Sequence, residues 1–402
     1  LDASAVSGAR PRRGLASLLL AAQVAPRAAV SSRLAFVPIS QGRSDRFGPL
    51  DFPNPQQDVA EGARGLVEVG ADDLWGAERH SVLLPAKWAQ LGHLRVAGPG
   101  SGSAHVYFVG FAQLAKGHDV AVKALVAGAN ETARDLWFME LLSKTGVVPT
   151  CLDVVEHPEA TFMLTESPGT RSLETLILES GLTREPKGLG QPCVHPMKLL
   201  PLMADLLRGA VELGRLGVRH GDVTEERIFL IEDDRRALLT DFSVACLERA
   251  QGSERGFTDG LTGSAFRQPP EGAGGADAAN VWQLGLVFAR LLFGGELATK
   301  WEAVLQAPDL DDRSAEGREV IERVVREHFA IQELPGFKRL SEEHSDLRDI
   351  VVSMLAKSPD QRATSEQALG AVTDAAKQRG IDLPAPRQPS ELAIEWRETS
   401  LS

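Results

Sequence analysis

Hydrophobic positions fall into distinct textures along the chain. Up to about residue 90 they are weakly periodic and interrupted by Gly, Pro, Ala and Arg, which predicts a leader plus an irregular extension. From Gly92 the apolar runs become short and strand-like: 94–97, 104–114 and 119–126 predict three strands broken by Gly-rich turns. A helix is expected over 131–143, then two strands leading into Phe162-Met163-Leu164-Thr165-Glu166. Beyond Ser172 the spacing is mostly helical, over 196–216, 278–293 and 345–376, with short strands flanking His220 to Leu230 and at 237–240. The stretch 182–196 is rich in Gly and Pro and predicts an inserted loop. The expected fold class is α+β, with a small β-rich lobe ahead of a larger helical lobe. The expected boundaries are 1–90 for a basic leader and irregular N-terminal extension, 91–169 for the small lobe and a hinge, 170–380 for the helical lobe, and 381–402 for a tail.

Length agrees with two lobes, since 402 residues exceed what one small core requires. Hydrophobic residues make up 43% and charged residues 24%, the balance of a soluble globular protein. The net charge of -12 argues against broad nucleic-acid binding, which needs a basic face to displace counterions. Cys151, Cys193 and Cys246 lack metal-ligand spacing; buried thiols are the plain expectation, with one disulfide open if the chain is secreted. No apolar run reaches the roughly 18 residues of a membrane span. Near the start, Arg10, Arg12 and Arg13 precede an apolar stretch, 15–25, followed by Arg27 and Arg33. That pattern fits a remnant secretory signal, an Arg-rich amphipathic helix lying on a membrane surface, or a simple basic leader.

Four motifs carry candidate chemistry. Gly98-Pro99-Gly100-Ser101-Gly102-Ser103, shortly before Val106, is a Gly-rich turn of the kind whose backbone N–H groups approach phosphates. Val120-Ala121-Val122-Lys123 is a strand ending in a lysine; alone it reads as a surface strand, but its place after the turn favours a phosphate contact. His220-Gly221-Asp222 is followed nineteen residues beyond its Asp by Asp241-Phe242-Ser243. Each of these acidic residues is preceded by a strand-like run. Last come Pro269-Pro270-Glu271, Trp282-Gln283-Leu284-Gly285 and Arg362; in the family these motifs resemble, such a late Arg pairs with the Glu inside the helical lobe.

In this order the motifs resemble the protein kinase superfamily over most of the chain. The resemblance implies a bilobal kinase-like fold, with N-lobe, hinge at Glu166 to Gly169, and C-lobe. It implies Asp222 and Lys123 as catalytic groups, with Asp135 as the helix partner of Lys123. Asp135 is preferred over Glu140 because Met139, four residues on, would stack towards Phe242 and His220, whereas Glu140 is followed by Lys144. It implies ATP between Val106 and Ala121 on one face and Phe229 on the other, with Thr165 at the back of the pocket and Glu166 opening the hinge, Gly98, Gly100 and Gly102 in the phosphate turn, and Asp241 as the magnesium ligand. The run 281–287, Gly221 where most kinases have Arg, and the Arg-rich leader are similar to the rhoptry kinases and pseudokinases of apicomplexan parasites. That likeness implies secretion to the rhoptry or parasitophorous vacuole and a protein partner.

The same comparison exposes altered positions. After Asp222, the expected Lys is Thr224 and the expected metal-binding Asn is Arg227, which only donates and cannot ligate a cation. A guanidinium there would repel Mg²⁺ or replace it as counter-charge. Ser243 replaces a flexible Gly, and Gly221 removes the usual receptor of a phosphorylated loop, where Ser253, Thr258, Thr262 and Ser264 are candidates. Asn280, where Asp is usual, is expected to hold the catalytic loop less strongly, and Phe229 is large enough to crowd adenine. The expectation is a pseudokinase with impaired Mg-dependent transfer; the alternative is an atypical Ser/Thr kinase using Asp222 and a single Mg.

Overall fold

The computed structural model describes residues 66–73, 79–88, 91, 94–97, 106–114, 118–158, 160–179, 192, 194–248, 267–272, 275–293, 317, 319–320, 323, 331–333, 337–338, 340–388 and 396. The leader, the Gly-rich turn at 98–105, most of the 182–196 insertion with Cys193, and the candidate phosphorylation sites at 253–264 lie outside the described residues.

The β-rich lobe is a seven-stranded sheet in the order β2-β1-β3-β4-β5-β7-β6. Its strands are β1 (Leu66–Asp73), β2 (Arg79–Pro85), β3 (Leu94–Ala97), β4 (Val106–Gln113), β5 (Asp119–Val126), β6 (Cys151–Glu156) and β7 (Ala160–Glu166). The last five follow the apolar runs. The first two correct the expectation of an irregular extension through residue 90. β1 lies antiparallel to β2 and parallel to β3, with Ala71 opposite Leu94. A parallel neighbour requires a crossover, so this strand is fixed by distant backbone pairing rather than local alternation. Val82, Leu84 and Trp88 nevertheless bury fully and share a cluster with Val120, Val122, Phe162 and Leu164. Trp88 packs edge-on against Phe162 and donates its ring N–H to Asp153 at 2.9 Å.

Helix α1 (Asn130–Leu142) buries Thr132, Asp135, Phe138, Met139 and Leu142, a stripe at helical spacing. A carboxylate in that stripe requires a partner. The helical lobe follows, with α2 (Leu173–Glu179), α3 (Pro196–Arg215), α4 (Ala276–Phe293), α5 (Ser345–Met354) and α6 (Ser365–Gln378). Helix α4 is apolar nearly all round and forms the centre of that lobe. The helical stretch expected over 345–376 is two helices: Pro359 opens a 3₁₀ turn, and Thr364 with Gln367 forms a capping box that starts α6. Between α3 and α4 lie short strands β8 (Val218–Arg219), β9 (Ile228–Ile231), β10 (Arg236–Leu239) and β11 (Cys246–Leu247). The β9–β10 and β8–β11 pairs frame the loops that carry Asp222 and Asp241.

The tail expected from residue 381 does not stand apart. Ile381 is buried in the helical-lobe core and Trp396 in the β-rich cluster. Cys151 and Cys246 are free thiols, and burial pushes the Cys151 thiol up to about 12. Among the described residues no helix is long and apolar enough to cross a membrane.

Candidate active site

β5 carries Lys123 between β4 and β7, opposite Val109 and Met163. Its Nζ meets Asp135 Oδ2 at 2.5 Å and Asp241 Oδ1 at 4.0 Å. Burial pulls the lysine pKa down, but the charges of Asp135 and Asp241 outweigh it and the net direction is up. The ammonium therefore stays charged. Asp135 also accepts the Phe242 backbone N–H at 2.8 Å, so one buried carboxylate ties α1 to the Asp241 loop. Glu140, the other candidate, is exposed. The spine anticipated through Met139 is present in a modified form. Phe138 stacks on Phe242 with ring centroids 6.3 Å apart, His220 lies 4.5 Å from Phe242, and Met139 is buried in the same cluster.

Arg227 decides the character of the site. Its Nε donates to Asp241 Oδ2 at 2.8 Å, and its Nη1 pairs with the Asp222 carboxylate and donates to the Asp222 carbonyl at 3.1 Å. One guanidinium thus bridges both acidic residues. The arrangement does not fit a magnesium ion: a cation would sit beside a fixed positive charge, and that charge already holds both carboxylates. Among the described residues no group of three or more His, Cys, Asp or Glu side chains gathers as a metal site. Asp241 adopts φ 63°, an uncommon backbone for a non-Gly residue that places its carboxylate against Arg227.

Several of the candidate nucleotide-binding residues are among the described ones. Ala121 and Thr165 are buried opposite one another in the sheet, Val106 and Phe229 are half-buried, and Glu166 is buried. If a nucleotide binds, Val106, Ala121, Thr165, Glu166 and Phe229 are the described residues that would hold its base. Gly98, Gly100 and Gly102 lie outside the described residues. A separate open cavity of about 550 Å³ lies on the flank of the hinge, lined by Asp119, Arg171, Leu230 and Asp234 among others. None of the candidate catalytic residues reaches it.

His220 is fully buried, and desolvation with the Arg227 charge pushes its pKa down to about 4. Its Nδ1 accepts the Asp222 N–H at 3.4 Å and its Nε2 faces the Thr240 carbonyl at 3.2 Å, which fixes the neutral tautomer. An unfolded imidazole takes up a proton near 6.5, whereas the folded one stays neutral until about 4. Stability is therefore intact above pH 6.5 and lost as pH falls through that window, at about 1.4 kcal/mol per pH unit from this group. Urea unfolding at pH 7 and 5.5 should show that slope, and His220→Phe should flatten it. An unchanged slope would mean that other groups govern the acid limb.

Several further side chains hold the catalytic loop and the segment after it. Asn280, expected to be a weaker hold, makes two bonds: its Oδ1 accepts the His220 N–H at 3.0 Å and its Nδ2 donates to the Val218 carbonyl at 2.8 Å. An aspartate could make only the first. Gln283 accepts the Val223 N–H at 3.1 Å; a lone polar residue in the apolar run of α4 was the available clue. Gln268 donates to the Gly221 carbonyl at 2.9 Å and accepts from Arg219 at 2.6 Å. Gly221 is required there, because φ is +84° and a Cβ would lie 2.9 Å from the Val244 carbonyl. This segment is thus pinned without a phosphate. Glu225 is buried against Arg267 at 2.5 Å and Arg290 at 3.4 Å; burial raises its pKa, and the two arginines bring the net direction down. Glu271 and Arg362 form the expected pair, bidentate at 2.6 and 2.8 Å.

Comparison with known families agrees with this geometry. A family model described as "Protein kinase domain" matches residues 98–372, from the Gly-rich turn into α6. A comparison with curated proteins finds no match.

Proposed function

The chain belongs to the protein kinase family, and from that premise we propose that it is a pseudokinase, a kinase scaffold that works by binding a protein partner. The observation that carries this is the Arg227 bridge between Asp222 and Asp241. Phosphoryl transfer depends on positioning and charge neutralisation. Asp222 cannot accept a hydroxyl proton readily while a guanidinium neutralises it, and Asp241 is not free to take a metal. Thr224 supplies no charge to the γ-phosphate. Nucleotide, if bound, would rest on Val106, Ala121, Thr165, Glu166 and Phe229, with Lys123 and Arg227 as counter-charges to its phosphates.

The finer placement among rhoptry pseudokinases rests on the 281–287 run, Gly221 and the Arg-rich leader. It carries with it secretion to a rhoptry or parasitophorous vacuole; the Arg-rich leader, read as an amphipathic helix, would separately contact a membrane surface. Finding the protein in a parasite cytosol would remove that placement. The alternative of a slow Ser/Thr kinase is favoured by one observation, the intact Lys123–Asp135 pair.

A thermal-shift titration with ATP, with and without Mg²⁺, and a radiolabelled transfer assay against Asp222→Asn separate the two. The expected result is an ATP shift that Mg²⁺ does not enlarge, and transfer at background in both proteins. Transfer that disappears with Asp222→Asn would sink the pseudokinase reading.

A further inference from the structure

We propose that the C-terminal segment from Ile381 through Arg387, with Trp396 as its far anchor, is a strap that ties the helical lobe to the hinge and to the β-rich lobe. Three sets of contacts support it. At the near end, Ile381 is buried in the helical-lobe core and the Ala385 carbonyl accepts from Arg236 Nη2 at 2.7 Å. Arg236 is itself held by Asp205 on α3 at 3.0 Å.

At the middle, the Arg387 guanidinium pairs with the carboxylate of Glu166 at the end of β7, and reaches the Gly146 carbonyl at 3.5 Å. Both charged side chains are largely buried, with 17% and 9% exposure, so loss of Arg387 leaves an uncompensated carboxylate at the hinge. The contact is close on the backbone side as well. Gly146 has φ +74°, and a Cβ there would lie 2.3 Å from the Arg387 carbonyl oxygen. Gly146 belongs to the connection between α1 and β6, so one arginine touches both the hinge and the loop behind the Asp135 helix.

At the far end, Trp396 is 4% exposed within the cluster of Ala71, Val82, Leu84 and Trp88. Pro384 and Pro386 limit the backbone between the first two anchors and lower the entropy lost on fixing it. The strap sets the angle between lobes by gripping the side chain of Glu166 at the hinge, and holds whether or not a nucleotide binds.

Hydrogen exchange tests it. Arg387→Glu should quicken exchange about tenfold at the amides of Glu166 and Ser167 and across 146–150, with α3 unchanged. The charge-reversed double variant Glu166→Arg/Arg387→Glu should return these amides towards the wild-type rate. A chain ending at Gln388 keeps Arg387 but removes Trp396, and should quicken β1 and β2 while sparing Glu166. The strap is overturned if the hinge is unaffected by Arg387→Glu, if hinge and α3 quicken together, if the double variant is no slower than the single, or if the shortened chain leaves β1 and β2 unchanged.

Discussion

Arg227→Asn should turn a magnesium-indifferent protein into a magnesium-responsive one. In the wild type the guanidinium bridges Asp222 and Asp241, and all three side chains are at most one-fifth exposed. Removing one partner of a largely buried charge network leaves two carboxylates facing each other, which costs about 3 kcal/mol. In chelator the variant should therefore melt several degrees below the wild type. An Asn side chain offers an oxygen beside Asp241, so the site gains the donor set that a hard dication prefers. Added Mg²⁺ should then restore stability, by about 2.7 kcal/mol at a hundredfold excess over its dissociation constant. The wild type should show no such gain. Equal magnesium responses in the two proteins would mean that Arg227 is not what keeps the metal out. Phosphate transfer should stay slow in the variant, because Thr224 is unchanged.

Arg362→Ala should be the most destabilising single substitution in the helical lobe. The Arg362 side chain has 0% exposure, makes two bonds to Glu271, donates to the Ala278 carbonyl at 2.9 Å and the Ala356 carbonyl at 3.0 Å, and lies 5.0 Å over the Trp282 ring. Its removal strands Glu271 and the carbonyls of Ala278, Ala356 and Lys357 together, for a loss of about 3–5 kcal/mol in urea unfolding. Lysine cannot reproduce the planar fork, so Arg362→Lys should recover only a minor part. The pair Arg362→Met with Glu271→Leu should lose less than Arg362→Ala, since it removes both charges together. A cost below about 1 kcal/mol for Arg362→Ala would show that the lobe relaxes to hydrate Glu271.

Both predictions concern residues whose identity was legible in the sequence, but to different degrees. The kinase resemblance implies the Glu271–Arg362 pair, and the two side chains meet in two hydrogen bonds. The consequence of Arg227 was narrowed to two outcomes, repulsion of a metal or replacement of it. Geometry favours replacement, because the guanidinium reaches both carboxylates. The helical spacing of its apolar neighbours favours Asp135 over Glu140, and in the fold Asp135 is buried 2.5 Å from Lys123 Nζ while Glu140 is exposed. Asn280 was underestimated, since its second bond depends on which carbonyl lies beside its amide nitrogen.

What the sequence determined by itself were the features encoded over short distances. Strands β3 to β7, the helices, and the altered residues after Asp222 follow from local alternation, helical spacing and motif position, because a strand or helix buries one face at a fixed period. What only the tertiary structure decided were the partnerships between residues far apart in the chain. β1 and β2 exist as part of the sheet because β3 accepts a parallel neighbour, Gln268 holds Gly221, and Arg387 reaches Glu166. None of these has a periodic signature. Each depends on burying a polar group that must be satisfied by whatever the fold brings near it. The Asp222 site shows both sources together: its missing lysine and asparagine were written in the sequence, while its occupation by Arg227 was settled by folding.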